Sequence, residues 1–146
     1  MTTNADITIF NARYDPKGRT EVLIPTEIRH VSLLESEASS AIKGVWTEKS
    51  VFKIRIPLQG SVIQGGRSYV PEEAYKDLKD VTDAWTIRKA DIIVLGSYRG
   101  GKSSLARTEV VEWARQAKVK MIQVTEYADN TVRGCDAVKH WRIGGA

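Results

Sequence analysis

The chain has little of the chemistry that staples small proteins together. Cys135 is its one cysteine, so no intrachain disulfide can form. With only two histidines, His30 and His140, it also lacks a four-ligand zinc set. No apolar run approaches the roughly 18 residues a membrane helix needs. The opening Met1-Thr2-Thr3-Asn4-Ala5-Asp6 has neither the basic start nor the apolar stretch of a signal peptide. These absences predict a protein of the cytosol with no membrane partner and no metal or other cofactor. What remains is ordinary: 146 residues, 42% hydrophobic and 27% charged, give room for one domain, 1–146, with one core. The mean hydropathy of -0.30 lies in the folded, water-soluble range.

Net charge is +4, unevenly spread. Residues 1–87 carry 11 Lys/Arg against 12 Asp/Glu, and residues 88–146 carry 11 against 6, so the basic surface belongs to the C-terminal part. No Lys/Arg cluster is interleaved with stacking aromatics, and the charge alone identifies no ligand.

Hydrophobic spacing predicts a mainly β chain. Ile7 and Ile9 alternate with Asp6 and Thr8, and Asp15-Pro16-Lys17-Gly18 has the residues of a tight reversal, so the chain opens with a hairpin whose return strand starts near Glu21. Pro25, with no amide to donate, marks an edge or a bulge in that strand. From Glu35 to Ser50 the residues are small and polar without sustained period, which predicts a long loop. Phe52, Ile54 and Ile56 then alternate with Lys53 and Arg55 as in a half-buried strand that Pro57 ends. Pro71 to Tyr75 reads as a helical turn, and Trp85 to Leu95 as a hairpin turning near Arg88 and Lys89. Ala106, Val110, Trp113, Ala114 and Ala117 form one face of an amphipathic helix over about 105–118, the one convincing helix. Val119–Val124 and Ala137–Ile143 close the chain as strands. About seven strands to one helix imply a small antiparallel β-barrel or sandwich with long loops.

One string imitates a nucleotide site. Gly96-Ser97-Tyr98-Arg99-Gly100-Gly101-Lys102-Ser103 matches G-x-x-x-x-G-K-[ST] at every position, between an apolar strand and a helix. Such a loop needs a parallel sheet around it and a later strand ending in a magnesium-binding Asp, and the sequence has neither. The alternative is a basic Gly/Ser loop ahead of a helix capped by Ser103 or Ser104. His30 and His140 have no serine or cysteine elbow beside them, so each is expected as a partly exposed strand residue, and Cys135 as a half-buried thiol. Nothing in the residues argues for an enzyme.

The opening Ala5 to Asp15, Phe52 to Pro57, Tyr69-Val70-Pro71, Trp85 to Val94, Asp129 to Gly134 and Lys139 to Gly145 resemble, in this order, the small structural proteins encoded beside the capsid genes of long-tailed phages and prophages. The order of elements is also similar to the stopper ring proteins of siphophage necks. That resemblance implies a virion protein of the head–tail connector, assembled in the host cytoplasm. It would form a homo-oligomeric ring between the portal or adaptor ring and the tail terminator or tail tube, with packaged double-stranded DNA in its channel. It further implies that the loop at 35–50 reaches into that channel, with Glu35, Glu37, Lys43, Trp46, Glu48 and Lys49 as the channel residues. Arg99, Lys102, Arg107 and Arg133 become basic candidates for the ring interface or for DNA. The loop carries net charge -1, which suits a gate that blocks DNA without gripping phosphates. The N-terminus, Gly96–Ser104 and the Gly144-Gly145-Ala146 tail are arms that could reach a neighbouring subunit. Three rivals remain: a tail-terminator or tail-tube protein, a small nucleotide-binding protein using Gly96–Ser103, and a free nucleic-acid-binding barrel.

Overall fold

A computed structural model describes residues 3–15, 17–42, 45–132, 134–135 and 138–146. Nine strands run in the order β1 (Ala5–Asp15), β2 (Thr20–Ile42), β3 (Val45–Pro57), β4 (Val62–Ile63), β5 (Ser68–Tyr69), β6 (Ala84–Trp85), β7 (Ile92–Leu95), β8 (Met121–Asn130) and β9 (His140–Gly145). Among these residues the α-helices are α1 (Glu72–Asp77) and α2 (Arg107–Ala117), and Gln64–Gly66 form a 3-10 turn. Six strands close on themselves in the order β1-β7-β8-β9-β3-β2, and β2 pairs back with β1. Every pairing in this ring is antiparallel, so the expected mainly β fold is a closed barrel with no open edge around its wall.

Closure depends on two strands that change partners partway along. β2 pairs with β1 from Thr20 to Val31, then with β3 from Ser32 onward. The change falls at a bulge where Ala5 opposes Val31 while Ile7 opposes Ile28. There His30 takes a left-handed φ of 62°, and its amide donates to Asp6 Oδ1 at 3.1 Å. Such a bulge bends the strand and re-aims it, which is how a barrel corner is made. β8 turns a second corner in the same way, leaving β7 after Gln123 and joining β9 across a register shift between Val124 and Glu126. Pro25 opposes Phe10 of β1 on one side and on the other falls between the Leu23–Leu105 bridge and the pairing of Ile28 with β4, where its missing N–H costs nothing.

Alternation sorts side chains to the two sides of this wall. Ile7, Ile9, Ile28, Phe52, Ile54, Ile56, Ile93, Ile122 and Ile143 fill one core, together with Trp85 and Trp141. Tyr69, Trp85 and Trp141 meet there with ring centroids 5.1–5.2 Å apart. The intervening residues Phe10, Ala12, Ile92 and Val94 form a second core with Leu23, Leu105, Val110 and Ala114, so α2 covers that outer face of β1 and β7. This explains why β7 reads as an unbroken apolar run: it is buried on both faces.

Several expectations are corrected here. Glu35–Ser50 is not a loop: β2 and β3 continue past the wall as a two-stranded ribbon, in register from Ser32 opposite Arg55 to Ile42 opposite Val45. Main-chain pairing needs no hydrophobic period, so small polar residues can hold it once the wall fixes its base. Trp85–Leu95 is not a hairpin either. β6 pairs in parallel with β5, whereas β7 lies between β1 and β8. Neither Ser103 nor Ser104 caps α2. Leu105 exchanges both backbone hydrogen bonds with Leu23, at 2.6 and 2.9 Å, which holds the chain extended that far. The cap is therefore Ala106, whose N–H donates to Glu109 Oε1 at 3.1 Å. Ala117 is exposed rather than part of the buried helix face, and Cys135 is exposed rather than half-buried. A second short helix, α1, stands where a helical turn was expected, with Pro71 at its cap. The Gly144–Ala146 tail is no free arm: Gly144 and Gly145 pair with β3, and Ala146 exchanges backbone hydrogen bonds with Gln123.

Candidate functional site

The feature that the wall does not require is the ribbon. β3 loses its outer neighbour β9 beyond Phe52, which opposes Gly145, so among the described residues the pairs from Ser36 with Val51 to Ile42 with Val45 have no third strand beside them. At about 3.4 Å per residue this makes an arm of roughly 24 Å with two unpaired edges. Of the channel candidates, Glu35 is exposed at the base of the arm, opposite Phe52. Glu37 sits in register with Ser50, Glu48 with Ser39, Lys49 with Ala38 and Trp46 with Ala41. Five of the six candidates thus belong to one element, and Lys43 lies outside the described residues. The signal that sequence reasoning lacked was the length match of the two flanks. Eleven residues on each side pair without a slip, which no composition rule detects.

Two of the basic candidates are engaged within the chain. Arg107, at the first position of α2, donates from Nε to Glu21 Oε1 at 3.1 Å and from Nη1 to the Ala90 carbonyl at 3.0 Å, so it ties the helix to the barrel. Lys102 is ion-paired with Glu109, whose carboxylate holds the lysine pKa above its ordinary value. The same contact, together with the Ala106 amide, holds Glu109 below its own. Arg99 is exposed on the loop, and Arg133 lies outside the described residues.

The phosphate-loop string has the wrong surroundings for its usual chemistry. Its strand, β7, has antiparallel neighbours on both sides. Two amides that would have to face a phosphate are already engaged: Gly96 N–H donates to the Asp6 carbonyl at 2.8 Å and Tyr98 N–H to Thr8 Oγ1 at 3.1 Å. The helix begins four residues after Ser103 instead of immediately behind it. Tyr98 leans back onto Phe10 and Trp113, with centroids 5.5 and 4.8 Å away. A cavity of about 270 Å³ lies beside the string, between Lys102 and Arg67, but Arg67 donates to the Pro25 carbonyl at 2.8 Å and to Thr26 Oγ1 at 2.6 Å.

One buried carboxylate needed the structure to be found. Asp91 is fully buried and accepts from Asn11 Nδ2 at 2.9 Å and from the Ala12 amide at 3.1 Å. Asn11 in turn donates to the Thr86 carbonyl and accepts from the Thr86 amide. Burial pushes the Asp91 pKa up to about 7, against the opposing pull of those hydrogen bonds and of Arg88 and Arg107. Closed off from solvent, the group serves to pin the segment after β6 to β1.

Among the described residues no group of His, Cys, Asp and Glu is placed to hold a metal ion, and no helix is long and apolar enough to cross a membrane. A family model described as a family of unknown function, DUF6751, matches residues 1–146. The chain belongs to that family. No curated protein and no solved structure matches it.

Proposed function

We propose that this protein is a structural subunit of a phage neck, a stopper or head-completion ring component that sits between the portal or adaptor ring and the tail. In this reading it helps to retain packaged double-stranded DNA, offers the tail its attachment surface, and does no catalysis. The observation that carries the reading is the arm. A small closed barrel has no folding need for a ribbon of about 24 Å, whereas a ring subunit needs an element that leaves its own wall and spans part of a channel. The arm occupies the same stretch, 35–50, that the neck-protein resemblance assigns to the channel, as a hairpin in place of a loop. Its net charge of -1 gives DNA phosphates little to hold, so passage is not retarded by salt-dependent binding. The two unpaired edges are the kind of surface that neighbouring copies can cover by strand addition when a ring closes.

The test is complementation with a shortened arm, in which residues 38–49 are replaced by an Asn-Gly turn that joins Glu37 to Ser50. The expected outcome is a folded subunit whose particles package DNA and then lose it, or fail to join tails. Normal yields of infectious particles from the shortened variant would overturn the assignment.

A further inference from the structure

α2 covers the outer side of β1 and β7, whereas the outer side of β3 and β9 is open to solvent, and Lys53, Arg55 and Arg142 stand exposed on it. Arg55 is directly opposite Arg142 in the ladder, and Lys53 lies two residues further along the same side, opposite Gly144. Side chains directly opposite one another have their Cβ atoms about 5 Å apart, and like charges so placed repel. Among the described residues none of the three cations has an ion-pair or hydrogen-bond partner. The core takes Phe52, Ile54, Ile56, Trp141 and Ile143 from the other side of the same strands, so the fold gains nothing from the arginine pair. One carboxylate among the described residues shares this side. Glu126 lies over Gly144, where a Cβ would come within 2.7 Å of its Cγ, yet it makes no ion pair, so positive charge remains in excess. Leu34, 59% exposed, opposes Lys53 from β2 and gives the face an apolar point.

The opposite charge sits across the barrel. β7 pairs with β1 only as far as Phe10 and with β8 only as far as Gln123, and past that point α1 stands on the side between them. Its Tyr75 lines a cavity with Ala12 and Arg13 of β1, and its Glu72 accepts from the Tyr127 hydroxyl of β8 at 2.8 Å. Around the wall this side is separated from the β3–β9 pair by β8 in one direction and by β1 and β2 in the other. Residues 72–83 carry five acidic side chains against two lysines. Glu73, Asp77, Asp80 and Asp83 are exposed, and none of the four is in an ion pair. Tyr14, 62% exposed, lines a groove with Asp80 and supplies apolar surface there.

A two-fold axis through either surface would set like charge on like, whereas a head-to-tail contact sets each surface on its complement. We propose that the face of Lys53, Arg55 and Arg142 binds a second copy of this chain, taking the acidic 72–83 segment of the next subunit. Because the two surfaces lie on opposite sides of the barrel, the contact can repeat from copy to copy until a ring closes. The inference rests on the ring reading of the protein and names the surfaces that would meet in it.

The experiment is sedimentation velocity of the full chain from about 10 μM to about 1 mM, in about 50 mM and about 500 mM sodium chloride. The wild type should associate at low salt and lose at least about tenfold in apparent affinity at high salt. Arg55→Glu with Arg142→Glu reverses one surface, and Glu73→Lys with Asp77→Lys reverses the other. Each double variant alone should associate at least about tenfold more weakly than wild type, and their equimolar mixture should recover association, since it still contains one intact pair of surfaces. Circular dichroism checks that each variant folds. Where reversal disturbs the fold, Arg55→Gln with Arg142→Gln and Glu73→Gln with Asp77→Gln should weaken association in the same way. Lys102→Gln, outside both surfaces, should leave it unchanged. No salt-sensitive association of the wild type up to about 1 mM, including a result in which duplex DNA binds the basic face and a second copy does not, would overturn the proposal. So would a mixture that associates no better than its two components. The assay reads no particle, so its failure leaves the complementation test of the arm standing.

Discussion

β2 and β3 each belong to two regions, and the regions are held on different terms. Within the wall, Ile28 and Val31 of β2 and Phe52, Ile54 and Ile56 of β3 are buried; β2 lies against β1 and then against β3, and β3 lies between β2 and β9 from Phe52 to Arg55. Beyond Glu35 and Phe52 the same two strands run on as a ribbon in which Ser and Ala predominate, with Ile42, Val45, Trp46 and Val51 among them and no third strand among the described residues, joined to each other by main-chain pairing. Burial makes the domain, and main-chain pairing extends it. A two-stranded ribbon is marginal by itself in water, so the arm depends on the wall for its register while the wall does not depend on the arm.

Four changes probe that asymmetry. pH should act on the wall through the buried carboxylate of Asp91. Its folded pKa is raised from 3.8 to about 7, so within that window the unfolded chain has released this proton while the folded chain keeps it. Stability should therefore fall as pH rises from about 4 to 7, by up to about 4 kcal/mol from this group, and level off above. Chemical denaturation at a series of pH values checks this, and Asp91→Asn should flatten the slope. Ile54→Ala, a truncation 1% exposed in the interior, should cost about 3 kcal/mol in the same assay. Gly145→Ala should cost about 2 kcal/mol, because a Cβ there would lie 2.6 Å from Ile122 Cγ2 and 2.7 Å from the Gln123 carbonyl oxygen, at the corner where β8 turns. Replacing residues 38–49 with an Asn-Gly turn should change stability by less than about 1 kcal/mol, since the removed segment has no wall partner and loop length alters closure cost only slowly. A loss as large as that of Ile54→Ala would mean that arm and wall fold as one unit.

The same division decides what could be read from the sequence. Phe52-Lys53-Ile54-Arg55-Ile56 alternates because one side of its strand is core and the other solvent, and the structure buries Phe52, Ile54 and Ile56 and exposes Lys53 and Arg55. The opening hairpin and α2 were legible for the same reason. The arm was not, because neither side of it carries an apolar stripe and its pairing is written in the backbone, which is the same for every residue. The partners of β6 and β7 were hidden by the opposite condition: residues buried on both sides show no period that could distinguish a hairpin from two strands in different sheets. Leu105 sets the start of α2 through its bridge to Leu23, a contact 82 positions away in sequence that outweighs the local preference of Ser103 and Ser104 for the cap.

The most direct measurement of the central claim is an electron-microscopic average of the neck of purified particles with this chain located in it. The account predicts a ring of barrels between portal and tail, with the 35–50 arms converging on the central axis. Absence of the chain from the particle, or arms directed away from the axis, would contradict it.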